Sequence, residues 1–184
     1  MPLEPLKVHI LTRGAYYAGH LHYAEVPGAV RPRLLDYLNA QARGRQSAGE
    51  KKVVPMLRLD NADVVIYRAD RQIAVQSPQI AVAARAVVIA FDEGHPAKRD
   101  SVQPGYEKRQ ALEEEPLVIM TRTRHRLTGK VRGGVKRLTV LSGDELFVAV
   151  THVSIEDLST DARAPANLSF VALNMEFVES FWEA

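Results

Sequence analysis

Two distant stretches of this chain repeat one another, faintly but in order. Residues 8–21 read Val-His-Ile-Leu-Thr-Arg, five further residues, then Gly19-His20-Leu21. Residues 118–131 read Val-Ile-Met-Thr-Arg, six further residues, then Gly129-Lys130-Val131. An Arg-Leu pair follows each block, at Arg33-Leu34 and Arg137-Leu138. Next comes an alternating apolar run, 56–66 or 147–155, and then a second one, 80–91 or 170–178. A chain that repeats itself in this way is restricted to folds assembled from two related modules. What the copies share reads as scaffold, so a specific function is to be sought where they differ.

The period of the shared runs is that of strands. Val8, Ile10 and Thr12 alternate along the first block, and Leu57, Leu59, Ala62, Val64 and Ile66 largely keep the same spacing. Val118-Ile119-Met120 and the runs 147–153 and 170–173 are rich in β-branched and aromatic residues. Gly14-Ala15 predicts a tight hairpin joining strands at about 7–13 and 16–23. One short helix is expected in each copy; in the first, Leu34, Leu35 and Leu38 share a face behind Pro32. Its counterpart, 137–141, is shorter and more β-branched, and reads as a turn or a strand. The alanine-rich stretch 81–90 reads as a strand from its place in the repeat and its Val87-Val88-Ile89 end. The polar stretch 41–52 reads as a loop with no counterpart.

Residues 92–116 are dense in charge and contain two glycines and three prolines, so they can bury little apolar surface. They mark a charged linker, 93–115, between a first β module at 5–92 and a second at 116–184. Each module then has four or five strands and at most one short helix. A flat sheet this small leaves a face and two edges in water. The expected fold is therefore mainly β: two tandem small modules, each closed into a partly open barrel, or both joined in one sandwich.

The order of elements resembles a group of uncharacterised bacterial small β-domains. These open with a V-x-I-x-T strand, a turn and G-x-L, continue with R-L-S-D-L-L-N and F-L-P-L-T, and close with an apolar strand near an Asn. Arg33-Leu34-Leu35-Asp36-Tyr37-Leu38-Asn39 matches the middle signature in the first copy. Phe147-Val148-Ala149-Val150-Thr151 and Leu173-Asn174 match the later ones in the second. At greater distance the pattern is similar to Sm-like and SH3-like barrels, which implies binding rather than chemistry.

Composition excludes several classes of function. With no cysteine there are no disulfides, thiolate metal sites or cysteine nucleophiles. No run reaches the roughly 18 apolar residues of a membrane span, and the first residues lack a secretory pattern. The expectation is a cytoplasmic protein with no membrane partner. A net charge of +2 implies no partner by itself. There is no G-x-S-x-G, P-loop or G-x-G-x-x-G. His152 lies near Ser154, Glu156 and Asp157, but along a strand these do not make a nucleophile–base–orienter set. The chain is expected to be non-enzymatic and to need no cofactor.

Three groups of residues could bind something. If Gly14-Ala15 is a two-residue turn, His9 lies across from His20, with His22 two residues on; opposed imidazoles can share a zinc ion. Between 117 and 143 the chain carries Arg122, Arg124, Arg126, Lys130, Arg132, Lys136 and Arg137 with no acidic residue. That stretch could hold nucleic acid or a phosphorylated ligand, or be neutralised by the acidic strands that follow. Arg122-x-x-x-Arg126 with Asp157-x-Ser159 also resembles the PilZ family, which binds a cyclic dinucleotide, although Ala162 stands where that pattern has Gly. Finally, Phe181 and Trp182 are candidate interface anchors. The expected function is binding or assembly, by contact with a protein partner or by self-association into a homo-oligomer; the alternative is nucleic-acid or phosphate binding through the basic stretch.

Overall fold

The first block folds as a hairpin, β1 (Leu6–Thr12) and β2 (Ala15–Leu21). Helix α1 (Leu34–Arg43), β3 (Met56–Tyr67), β4 (Gln72–Ala83), a 3-10 turn (Ala84–Ala86) and β5 (Val87–Asp92) follow it. The second block runs through the same kinds of element in the same order. These are β6 (Glu114–Thr121), β7 (His125–Arg132), α2 (Gly134–Thr139), β8 (Phe147–Asp157), β9 (Leu168–Asn174), a 3-10 turn (Met175–Phe177) and β10 (Val178–Glu183). The structure, a computed structural model, describes residues 5–21, 33–43, 55–68, 70–93, 113–139, 146–157 and 167–184. The fold is mainly β. Most of the charged linker, 94–112, lies outside the described residues, as does most of the polar stretch 41–52.

All ten strands belong to one sheet, in the order β10-β6-β7-β8-β9-β5-β1-β2-β3-β4. Each half contributes five neighbours with its last strand outermost on one side and its fourth on the other. The halves join where β9 pairs antiparallel with β5, Leu173 facing Ile89 and Ala172 facing Ala90.

The likeness extends to irregularities. The sixth residue of β3 is Asn61 (φ 48) and the sixth of β8 is His152 (φ 51), both left-handed. Each accompanies a register shift in the adjacent ladder, between Ala18 and His20 in β2 and between Thr128 and Lys130 in β7. The residue skipped on that partner strand is a glycine, Gly19 in β2 and Gly129 in β7. A Cβ on Gly19 would lie 3.1 Å from the Asp60 carbonyl oxygen; one on Gly129 would lie 2.8 Å from Val150 Cγ1. A bulge presses backbone against backbone, and only glycine leaves room. It also explains why the apolar alternation skips a step: β3 buries Leu57 and Leu59, then Ala62 and Val64.

Two compact units form, and their boundaries differ from those of the halves. One comprises the described residues up to Asp92 together with 146–148 and Ala172–Glu176; the other holds the remaining described residues from Glu93 onward. The first has a core of Val8, Ile10, Leu21, Leu38, Leu57, Leu59, Ile89, Phe147 and Leu173, each at most 1% exposed. The second is built on Leu117, Ile119, Leu127, Val131, Val150 and Val153, equally covered.

Two buried asparagines tie the later segments into the first unit. Asn39, on the apolar face of α1 with Leu34, Tyr37 and Leu38, clasps the Phe147 backbone on both sides. Its Nδ2 donates to the Phe147 carbonyl at 3.0 Å, and the Phe147 N–H donates to its Oδ1 at 2.8 Å. Asn174, fully buried, donates to the Val87 carbonyl at 2.8 Å and accepts from the Glu176 N–H at 2.9 Å.

Three local expectations are corrected. The hairpin connection is Arg13-Gly14, so Lys7 faces His20 and Leu11 faces Tyr16. The run 81–90 is not one strand. Its alanines make a 3-10 turn packed against α1, with Ala84 fully buried and its N–H bonded to the Pro55 carbonyl at 2.9 Å. That turn carries the chain from the edge of β3 to the edge of β1. Residues 137–139 are the end of α2 rather than a turn or a strand, and 140–141 lie outside the described residues; Gly133 (φ 78) and Gly134 (φ 52) bend the chain into this helix, and the Thr139 hydroxyl bonds back to the Val135 carbonyl at 3.1 Å.

Candidate functional site

Strand β4 reads Gln-Ile-Ala-Val-Gln-Ser-Pro-Gln-Ile-Ala-Val-Ala, with no charged side chain in its 12 residues. One of its edges pairs with β3; among the described residues no strand pairs with the other. Proteins usually blunt such an edge with lysine, a bulge or proline. Here Pro78 sits opposite the Asn61 bulge, where the ladder is already interrupted. A shallow depression of about 370 Å3 lies at that point, lined by Asn61, Ala62, Asp63, Gln76, Ser77 and Pro78. Its polar groups are partly spent on each other, Gln76 donating to Asp63 at 3.0 Å. From Gln79 to Ala83 the edge is uncharged and regular.

Strand β10 is the other end of the sheet. It pairs with β6 alone among the described residues. Phe181 faces Ile119 and, beyond it, Leu127 and Ile155, so it lies half-buried over the core of its unit. Trp182 faces Val118 on the opposite face and is 45% exposed. Together with Met56 and Val75 it makes up the exposed large hydrophobics of the described residues, and all three lie on β10, β4 or the β3 end paired to β4.

The internal junction shows what these strands look like when covered. Counted from the 3-10 turns, Phe91 of β5 holds the place of Trp182, and it is 3% exposed, stacked on His9 at 4.8 Å. Val87 to Ala90 are fully buried, whereas Glu179 and Ser180 of β10 are exposed. On the facing side, Val171 to Asn174 of β9 are buried, while at the equivalent places of β4 Ala81 is exposed, Ile80 and Ala83 are half-buried and Val82 is buried.

The structure does not assemble the proposed zinc site. With the hairpin register moved by the Arg13-Gly14 connection, His9 faces Ala18 and His20 faces Lys7. His9 Nδ1 is hydrogen-bonded to the Tyr16 hydroxyl, and His20 Nδ1 is buried without a partner. His22 lies outside the described residues. No group of three potential metal ligands occurs among the described residues.

The basic stretch is divided among three places. Arg122 and Arg124 sit in the β6–β7 turn, where Arg124 is left-handed (φ 65) and the Arg122 N–H donates to the Phe177 carbonyl at 2.8 Å. Arg126 and Lys130 project from the exposed face of β7, and Arg132 ends that strand opposite Glu114. Lys136 is exposed on α2, which also carries Arg137. Arg126 is paired with Glu156 of β8 at 3.9 Å, each side chain 47% exposed. The acidic strand thus neutralises part of the basic one. Ser159 and Ala162 of the PilZ-like pattern lie outside the described residues.

Sequence reasoning singled out Phe181 and Trp182 as candidate anchors and did not single out the opposite edge. The signal available was the charge-free window 72–83; which strands end a sheet, however, depends on pairing order. It also matched Asn39 and Asn174 without assigning them a task. No described helix is long and apolar enough to cross a membrane. No family model matches the chain, and no curated protein or solved structure matches it either.

Proposed function

We propose that this protein is a non-enzymatic binding and assembly module, built from tandem copies of one small β-domain of the kind its signatures resemble. It engages polypeptide partners by strand addition at β4 and β10. The observation that carries this reading is the contrast at equivalent places. Val87 to Phe91 of β5 and Val171 to Asn174 of β9 are buried where these strands meet, while β10 exposes Trp182 and β4 exposes Ala81 on an uncharged edge. Added strands gain main-chain hydrogen bonds, and alternate side chains give selectivity.

A second reading is supported by one arrangement. Trp182, Val118 and Thr128 lie in one cross-strand row, so Trp182 shares its face with Arg126 and Lys130. An aromatic residue beside cations suits stacked bases and phosphates. The Arg126–Glu156 pair weakens that face as an anion site.

The test is the native size of the protein in extract of its own cells. Gln79→Lys and Ala81→Lys together with Trp182→Lys, which alter both edges, should release it from larger complexes, and Arg124→Glu with Arg132→Glu should not. The reverse pattern, with nuclease sensitivity, supports the second reading. A single-chain size for every version overturns both.

A further inference from the structure

Resting on the strand-addition reading, we propose that the partner at these edges is a second copy of this chain. β10 of one molecule pairs antiparallel with β4 of the next, repeating the β5·β9 junction between molecules. The two ends of the sheet are the same two kinds of strand that already meet inside it. Going outward, the sheet begins with a last strand and ends with a fourth strand, and the internal junction is a fourth strand on a last strand. A second molecule therefore offers each edge the partner type that its counterpart already has.

The junction also supplies the register. Val82 lies two residues before its 3-10 turn, as Leu173 does; Ser180 lies three residues after its turn, as Ile89 does. Leu173 faces Ile89 and Ala172 faces Ala90. Transferred outward, Val82 faces Ser180, Ala81 faces Phe181, and Ile80 faces Trp182. The exposed Trp182 thus meets a β-branched side chain in a favourable cross-strand pair, as its counterpart Phe91 is covered in the chain itself. Glu179 and Glu183 fall opposite Ala83 and Gln79, so no like charges are opposed. Contacts of this head-to-tail kind extend into a closed ring or an open chain of molecules.

One residue makes the outer junction weaker than the inner one. Asn174 bonds the Val87 carbonyl across the β9–β5 junction, but Ala83 holds its place on β4. The external pairing lacks that hydrogen bond, so it should be reversible.

Purified full-length protein is followed by light scattering over roughly 1–200 μM, the range in which weak association is populated. The wild type should rise from single-chain mass to twice that mass or more. Gln79→Lys with Ala81→Lys, and separately Trp182→Lys, alter edge positions and should each stay at single-chain mass while still melting as folded protein. Mixed together, each variant still has one working edge, and they should form a species of two chains and no larger. Ala83→Asn should shift wild-type association to lower concentration. A wild type that stays at single-chain mass, an edge variant that alone associates as the wild type does, or a mixture that stays at single-chain mass overturns the self-pairing. The edge-binding reading would still stand or fall separately, by native size in extract.

Discussion

Asn39 and Asn174 are the residues on which the arrangement of the first unit turns. Each is buried, and each is hydrogen-bonded to the backbone of another segment. Asn39→Ala leaves both the N–H and the carbonyl of Phe147 without this partner. The expected loss is about 2–4 kcal/mol of unfolding free energy in urea titration. Asn39→Asp keeps the acceptor for the Phe147 N–H, but sets a carboxylate against a carbonyl oxygen, and should also destabilise. Gly129→Ala should cost about 1–3 kcal/mol, because its Cβ would lie 2.8 Å from Val150 Cγ1 and 3.0 Å from the Thr151 carbonyl oxygen. By contrast, Arg126→Ala should cost under about 1 kcal/mol, since the pair with Glu156 is half in water at 3.9 Å.

At the scale of elements, the alanine-rich segment between β4 and β5 is the informative case. Its composition favours helix and its place in the repeat favours strand; the chain satisfies both with a 3-10 turn between two strands. Ala84 is small because α1 packs against that turn. Ala84→Leu should therefore lower the melting temperature through overpacking of about 1–3 kcal/mol, whereas the same change at exposed Ala86 should be nearly neutral. Strand periods were legible because alternation follows from the pleat. The step between Leu59 and Ala62 reads in the sequence as continued alternation, and only the register shift shows that it is skipped. The His9–His20 pairing failed for a different reason. Moving a two-residue turn by one position shifts every facing pair by two residues, and sequence alone does not fix which two residues turn.

For the whole molecule, the sequence showed the recurring order of segments, but not that the fourth strand of the second half pairs with the last of the first. That pairing depends on tertiary closure, and it decides which strands remain outermost. Trp182 stood out in the sequence because a lone tryptophan must be covered or wait for a partner, and on β10 it is 45% exposed. The β4 edge was not, because an uncharged strand looks the same in the middle of a sheet as at its end. The central claim is that β4 and β10 are complementary edges completed by another copy of the chain. Backbone hydrogen exchange, measured in dilute and in concentrated purified protein, tests it most directly. Amides at 79–83 and 179–183 should become more slowly exchanging together as concentration rises, while those of the buried β5 and β9 stay unchanged. Identical exchange at both edges across the concentration range would contradict the claim.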